Sequence, residues 1–238
     1  MAKEHAVILG GSSGVGLATA KHLLGLGFAV TITGRDAAKL EAARTTIGGG
    51  VTTIVADAGN EAAMRAAFAQ IGPFDHLVLA LSGGKGIGPF ATLPVATLRQ
   101  GFDEKFFAHV TAAQAALPTL RQTGSIVFIS AVSAQGAMPG SAGVAAINAA
   151  VAQLVPVLAN ELKPIRVNGV SPGVIDTPWW DFLPADQKSS AFAGFAARTP
   201  VGRVGKPEDV AQAIGFMLTN GFMTGHTLIC DGGVHRAQ

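Results

Sequence analysis

HAVILGGSSGVG, residues 5–16, joins a short apolar run to a glycine-rich turn. Glycines at positions 10, 14 and 16 permit a tight turn and let backbone N–H groups approach a pyrophosphate at the positive end of a helix. We expect that helix to start near Leu17. A merely flexible connection would explain neither the spacing of the glycines nor their place directly after an apolar run. The stretch therefore predicts a strand, a nucleotide-binding turn and a helix at the start of the chain.

Short apolar runs recur along the chain, and Ala-rich helical segments lie between them. Most of the runs are continuously apolar, which is typical of strands buried on both faces. They are HAVILG, FAVTIT, VTTIVA, HLVLAL, SIVFIS, IRVNGV and HTLICD. The alternation predicts an α/β fold, a doubly wound Rossmann sheet of seven parallel strands with helices on both faces. No linker or repeat interrupts it, so residues 1–238 are expected to form a single domain with ligands at the carboxyl ends of the strands.

The composition restricts the classes of partner. Charged residues make up 13% of the 238 residues, against about 25% in an average soluble protein. We expect part of the surface to be covered in a homo-oligomer, a dimer or tetramer, although poor solubility could accompany the same composition. The net charge of +2 indicates neither a nucleic-acid nor a membrane partner.

Cysteine, histidine and the N-terminal run add three further expectations. Cys230 is the single cysteine, so no intrachain disulfide is possible and a buried, inert thiol is expected. The six histidines are dispersed without the pairing that a metal site needs. The first apolar run is too short for a signal peptide or a membrane span, which favours a cytoplasmic protein. Besides a sister subunit, the expected partner is a small-molecule substrate.

The spacing Gly-x-x-x-Gly-x-Gly in LGGSSGVG resembles the phosphate loop of the short-chain dehydrogenase/reductase family, with Leu9 where threonine is usual. The resemblance extends over nearly the whole chain. Further segments that are similar to the family are VADAGN, NELKPIRVNGVSPGVIDTP, PVGRVGKPEDVAQAIGFML and TGHTLICDGG. One segment departs from the family, because LALSGG stands where the family has Asn-Asn-Ala-Gly. It implies that a dinucleotide contacts residues from several segments of the chain. Besides Asn148, discussed below, these are Gly10, Ser12, Ser13, Gly14, Val15, Gly16, Arg35, Asp57, Ala58, Ser82, Gly83, Pro172, Gly173, Ile175 and Thr177.

The end of the second predicted strand, TITGRD, bears on the choice between NAD and NADP. The resemblance implies a carboxylate at the position of Gly34 in an NAD enzyme, where it would repel a 2′-phosphate. Gly34 removes that repulsion, and Arg35 offers a planar cation suited to phosphate. We interpret Asp36 as the N-cap of the helix AAKLEAARTT. NADP is therefore expected rather than NAD, with a plain surface cation as the alternative reading of Arg35.

The family's catalytic residues are replaced in this chain. Members use a tyrosine as proton donor, a lysine four residues later that lowers the tyrosine pKa, and a serine that holds the substrate oxygen. NAAVAQLVPVLANEL is similar to the family's KAAVxxLxxxLAxEL, which places the lysine at Asn148, the tyrosine at Val144 and the serine at Ala131, and the chain has no tyrosine. In FDEKFFAHVTAAQAALP, Lys105 stands where the family has a catalytic asparagine.

Lys105, Ser130 and Asn148 are therefore the candidate catalytic residues, with His109 or a water as other possible proton donors. Drift in a site that is no longer used is an equally open explanation of the substitutions. Asn148 lies in the apolar run GSAGVAAINAAV, on one helix face with Val151. Its amide could bond the nicotinamide ribose or could be a satisfied polar group at a helix interface. Pro156 is expected to break a backbone bond and kink this helix.

The segment PWWDFLPADQKSSAFAGFAAR contains both tryptophans, and together with the following two residues it corresponds to the family's mobile substrate lid, residues 178–200. Its aromatic residues suit an apolar substrate, or they pack on a partner subunit. The leading interpretation is an NADP(H)-dependent oxidoreductase for an apolar carbonyl or alcohol with an atypical proton donor. A non-catalytic NADP-binding sensor or supporting subunit, and an isomerase or lyase on the same scaffold, are the alternatives.

Overall fold

The computed structural model describes residues 3–237, so Met1, Ala2 and Gln238 lie outside it. Its sheet is built from β1 (His5–Leu9), β2 (Ala29–Gly34), β3 (Val51–Val55), β4 (Phe74–Leu79), β5 (Leu120–Ile129), β6 (Arg166–Pro172) and β7 (Thr227–Cys230). All neighbours pair in parallel, in the order β3-β2-β1-β4-β5-β6-β7. The predicted doubly wound fold is confirmed. The winding direction reverses between β1 and β4, where such sheets bind ligands.

Helices cover both faces of the sheet. They are α1 (Gly14–Gly25), α2 (Ala37–Ile47), α3 (Glu61–Ile71), α4 (Val95–Gly101), α5 (Ala108–Ala116), α6 (Ala142–Glu161), α7 (Ala185–Arg198) and α8 (Pro207–Thr219). A π-helical turn, Phe102–Phe107, joins α4 to α5. Helix α1 begins at Gly14, whereas the sequence predicted a start near Leu17. Gly14 and Gly16 therefore belong to the first turn of the helix.

Two hydrophobic cores lie on opposite faces of the sheet, and β1 contributes to both. Val7 and Leu9 point into the core under α3, α5 and α6, while Ala6 and Ile8 point into the core under α1, α2 and α8. Successive side chains of a strand alternate between faces, so a strand covered on both sides is apolar throughout. The edge strands differ, since β3 alternates buried and exposed residues and β7 is only partly buried.

Helix α6 continues through Pro156, which lies on its exposed side. The proline has no N–H, so the backbone hydrogen bond at this position is missing as predicted. Asn148, Val151 and Val155 are buried on one face as expected. The helix is long and apolar enough to cross a membrane by length and composition, but it packs against β5 and β6 as a core helix.

The expectation of a buried, inert Cys230 is met only in part. The residue lies on the edge strand β7 and is partly exposed, because no further strand covers that edge among residues 3–237. Its Sγ atom is 3.6 Å from the Asp209 carbonyl oxygen, to which the thiol donates a weak hydrogen bond. Burial raises the pKa of the Cys230 thiol, which keeps it protonated and unreactive.

Candidate active site

A cleft of about 2390 Å³ runs along the carboxyl ends of the strands. Every residue that the family resemblance implied for the dinucleotide lines this cleft, and so do the three candidate catalytic residues. Parallel strands bring their carboxyl ends to one edge of the sheet, which is why segments far apart in the chain meet there. The structure thus brings all the predicted positions together, and the contacts below indicate what each group is able to bind.

The glycine turn after β1 leaves an open anion site at the start of α1. Gly10 and Gly14 have φ angles of +77° and +50°, which other residues rarely adopt. A Cβ atom at Gly16 would clash with the Gly10 carbonyl oxygen. Ser13, the N-cap residue, makes no side-chain capping bond, so the first N–H groups of α1 are left to face the cleft. This end of the helix fits a pyrophosphate.

Two basic residues, Arg35 and Lys39, line the cleft just after β2. Arg35 is exposed, lines the cleft and forms no ion pair among the residues that the structure describes. Asp36 accepts a hydrogen bond from the Lys39 backbone N–H at 3.0 Å, which confirms its predicted role as the N-cap of α2. The Asp36 carboxylate is therefore engaged by the backbone. Lys39 also lines the cleft and was missed from the sequence.

Lys105 is buried in the π-helical turn, and only 9% of the residue is exposed. Its Nζ donates a hydrogen bond to the Ser130 carbonyl oxygen at 3.2 Å. No carboxylate pairs with Lys105 within residues 3–237. Burial lowers the pKa of Lys105 to about 8. The ammonium thus retains two N–H groups for other partners at the cleft.

Two further polar atoms beside the cleft are buried and unpartnered in the described part of the chain: the Ser130 hydroxyl and Asn148 Oδ1. The Asn148 amide nitrogen donates to Ser133 Oγ at 3.0 Å and to the Val144 carbonyl oxygen at 2.9 Å. The N–H groups of Asn148 are satisfied within the protein as one expectation held, whereas its oxygen remains available and the bond to a ribose stays a prediction. No sequence signal marks Ser133 as the partner of Asn148.

The suggestion that His109 is a direct proton donor is wrong. The residue is 0% exposed and does not line the cleft. Its ring stacks on Phe128 with centroids 6.0 Å apart, because this face of α5 packs against the sheet. Burial and the Lys105 charge lower the pKa of His109 to about 4. The ring nitrogens lie 2.7 Å from the Lys105 carbonyl oxygen and 3.1 Å from the Leu79 carbonyl oxygen.

Residues of the predicted lid, 178–200, line the cleft. Trp179 Nε1 donates to the Gly83 carbonyl oxygen at 3.0 Å, which ties the lid to the loop after β4. Trp179, Trp180 and Phe182 form an aromatic cluster, and all three line the cleft. Lys188 on α7 pairs with Asp176 at 3.3 Å and with Asp181 at 3.2 Å. The bond from Trp179 joins residues too distant in sequence for any local pattern to predict.

Comparisons with known proteins cover nearly the whole chain. A family model described as enoyl-(acyl carrier protein) reductase matches residues 10–235. The chain is 34% identical over 244 residues to cis-4-hydroxycyclohexanecarboxylate dehydrogenase of Sinomonas cyclohexanicum, covering 98% of this chain and 96% of that one. Among solved structures, a small-chain dehydrogenase in complex with NADPH matches with a TM-score of 0.84 and 31% identity, over 99% of this chain and 100% of that one. A short-chain oxidoreductase of Pseudomonas aeruginosa PAO1 that contains an atypical catalytic center matches with a TM-score of 0.89 and 29% identity, over 99% and 98% of the two chains.

Proposed function

The chain belongs to the short-chain dehydrogenase/reductase family. On this premise we propose that it is an NADP(H)-dependent oxidoreductase that interconverts an apolar carbonyl compound and its alcohol. The Lys105 ammonium is the proposed proton donor. The single observation that carries the proposal is the buried Lys105 at the cleft, whose ammonium forms no ion pair in the described part of the chain. We also propose that the enzyme works as a homo-oligomer in the cytoplasm.

The residues of the cleft fit NADP(H). The glycine turn and the open N-terminus of α1 would hold the pyrophosphate, and Arg35 would hold the 2′-phosphate. Asp57 would contact the adenine, and the loop from Pro172 to Thr177 would hold the carboxamide. The NADPH complex of a relative supports this choice of cofactor. When bound, NADPH supplies the hydride for the carbonyl carbon.

Lys105 replaces the absent phenol as an acid. A general acid is most effective when its pKa lies near the working pH, and burial brings the pKa of Lys105 to about 8. The ammonium is then mostly charged at neutral pH and gives its proton to the substrate oxygen as negative charge develops there. The Ser130 carbonyl holds one N–H of the ammonium. The Ser130 hydroxyl supplies a second donor for the same oxygen, and Asn148 Oδ1 accepts from a ribose hydroxyl.

An apolar ring or chain is the substrate class that the lid favours. Trp179, Trp180 and Phe182 line the cleft, and aromatic side chains bind apolar ligands while a few polar groups fix their orientation. The relative from Sinomonas cyclohexanicum is named as a dehydrogenase of cis-4-hydroxycyclohexanecarboxylate, a cyclohexane ring that carries a hydroxyl and a carboxylate. Cyclic secondary alcohols and the matching ketones are therefore the first compounds to test.

Lys105→Met tests the proposal in NADPH oxidation assays with a panel of cyclic and open-chain ketones. We expect kcat to fall by about 10²- to 10⁴-fold, the usual contribution of a general acid, with the NADPH Kd unchanged. Lys21→Met, which removes an exposed lysine of α1 outside the active-site cleft, is the matched control. Unchanged kcat in Lys105→Met would reject Lys105 as the acid, and tight NADPH binding without oxidation on any substrate would support the non-catalytic alternative.

A further inference from the structure

His109 connects two structural elements next to the active site. One ring nitrogen, Nδ1, is 2.7 Å from the Lys105 carbonyl oxygen in the π-helical turn, and the other, Nε2, is 3.1 Å from the Leu79 carbonyl oxygen at the end of β4. Both partners are acceptors only, so a neutral imidazole donates a hydrogen bond to one of them and lies in contact with the other. The imidazole therefore bridges the backbone of the candidate acid to the strand that leads into the cofactor loop.

The place of Lys105 in the helix makes this bridge useful. A π-helical turn departs from the regular α-helical bonding pattern, and such turns are frequent at functional sites. The ammonium reaches the Ser130 carbonyl from this turn, so the direction of the side chain depends on how the turn is held. A fully buried ring that bonds the carbonyl of Lys105 itself restrains that turn directly.

We propose that His109 is the positioning residue of Lys105: its imidazole holds the π-helical turn against β4 and thereby aims the ammonium at Ser130 and the cleft. This role rests on the proposed function of Lys105 as the acid. His109 does not line the cleft and so is not itself a catalytic residue.

The charge of His109 is tied to that of Lys105. A neutral imidazole has one N–H and donates to only one of its two carbonyl neighbours, whereas the imidazolium donates to both. Burial and the Lys105 charge oppose the imidazolium. The ring also packs on Phe128 of β5 and lies against the backbone of β4. In the described part of the chain, Lys105 is the one charged group that shifts the His109 pKa. While Lys105 is charged, His109 therefore stays neutral.

The first test measures the His109 pKa by NMR of protein labelled with ¹³C and ¹⁵N in histidine. Wild type should keep His109 neutral down to about pH 4. In Lys105→Met the positive charge is gone, and we expect the His109 pKa to rise by about one unit or more, the usual effect of removing a nearby like charge. An unchanged His109 titration would overturn the coupling. The measurement needs no enzyme activity, so it stands even if the proposed reaction is wrong.

The second test replaces His109 by leucine and by glutamine and follows the Lys105 pKa by NMR of ¹³C-labelled lysine. In His109→Leu the turn is released, and we expect the Lys105 pKa to move from about 8 towards its ordinary 10.5. Glutamine keeps a side-chain donor and should restore the low pKa. In the same variants kcat should fall at least about tenfold for leucine and recover for glutamine, with the NADPH Kd unchanged.

His226→Gln, on an exposed histidine, is the control for both readouts. A folded His109→Leu protein that keeps a Lys105 pKa near 8 would overturn the proposal, because a merely structural histidine would lower thermal stability without moving that pKa. If no variant, including wild type, oxidises NADPH, the proposed function fails while the Lys105 titration still decides the positioning role.

Discussion

In the proposed reaction Lys105 would act through its protonation state, which its burial controls. With the pKa of Lys105 lowered to about 8 by burial, the ammonium form that donates a proton is lost as the pH rises through that value. The reverse reaction needs the neutral amine to accept a proton from the alcohol. The two directions of the reaction therefore place opposite demands on this one side chain.

We expect kcat/KM for NADPH-dependent reduction to be constant below about pH 8 and to fall at higher pH, because the acid form disappears. For alcohol oxidation kcat/KM should rise towards the same pH. Initial rates between pH 6 and about 10 measure both profiles. The residual activity of Lys105→Met should lack the inflection, and an inflection that survives in this variant would assign it to another group.

Arg35 is expected to decide between the two dinucleotides. Charged hydrogen bonds contribute about 1.5–3 kcal/mol, so Arg35→Ala should weaken NADPH binding by about tenfold to a hundredfold and leave NADH binding unchanged. Calorimetric titration of both cofactors measures this. Arg44→Ala, which removes an exposed cation of α2 paired with Glu41, should change neither Kd. Equal losses for NADPH and NADH in Arg35→Ala would show that Arg35 does not contact the 2′-phosphate.

At the scale of elements, the turn between β1 and α1 depends on a close approach of backbone to backbone. The first residues of α1 lie directly against the Gly10 carbonyl, and this contact leaves no room for a side chain at Gly16. The contact holds the helix end over the strand, where its N–H groups face the cleft. Glycine at the other end of α1 has no such role, since a Cβ at Gly25 would meet no atom within 4 Å.

Gly16→Ala and Gly25→Ala therefore form a matched pair in one helix. We expect Gly16→Ala to displace the turn and to abolish measurable NADPH binding. Gly25→Ala should leave the NADPH Kd unchanged and stabilise the protein by at most about 1 kcal/mol. Thermal unfolding and calorimetric titration of both variants give the answer. Normal NADPH binding by a stable Gly16→Ala protein would contradict the assignment of the pyrophosphate to this turn.

At the scale of the whole molecule, apolar side chains remain on the surface of the single chain. Phe222, just after α8, is 98% exposed, and Phe216 on α8 is 46% exposed. We expect these phenylalanines to be covered in a homo-oligomer. Light scattering should give a multiple of the chain mass, and Phe222→Ser should shift the equilibrium towards monomer with the fold retained. A monomer at every concentration of the wild type would contradict the expectation.

Much of the molecule was predictable from the sequence because local rules decide it. The continuous apolar runs predicted parallel strands covered on both faces, and the turn with Asp36 predicted where α2 begins. One local prediction held only in part, for a tertiary reason. Cys230 is partly exposed because β7 is an edge strand.

The sequence by itself determined the doubly wound sheet, the glycine turn and the absence of a tyrosine, since these follow from short patterns and from composition. Only the tertiary structure decided the environment of Lys105, the inward position of His109 and the tie between Trp179 and Gly83. Each of these depends on contacts between residues 25, 30 and 96 positions apart, respectively. Burial and hydrogen bonding of a side chain are set by its neighbours in space, and no local pattern contains them.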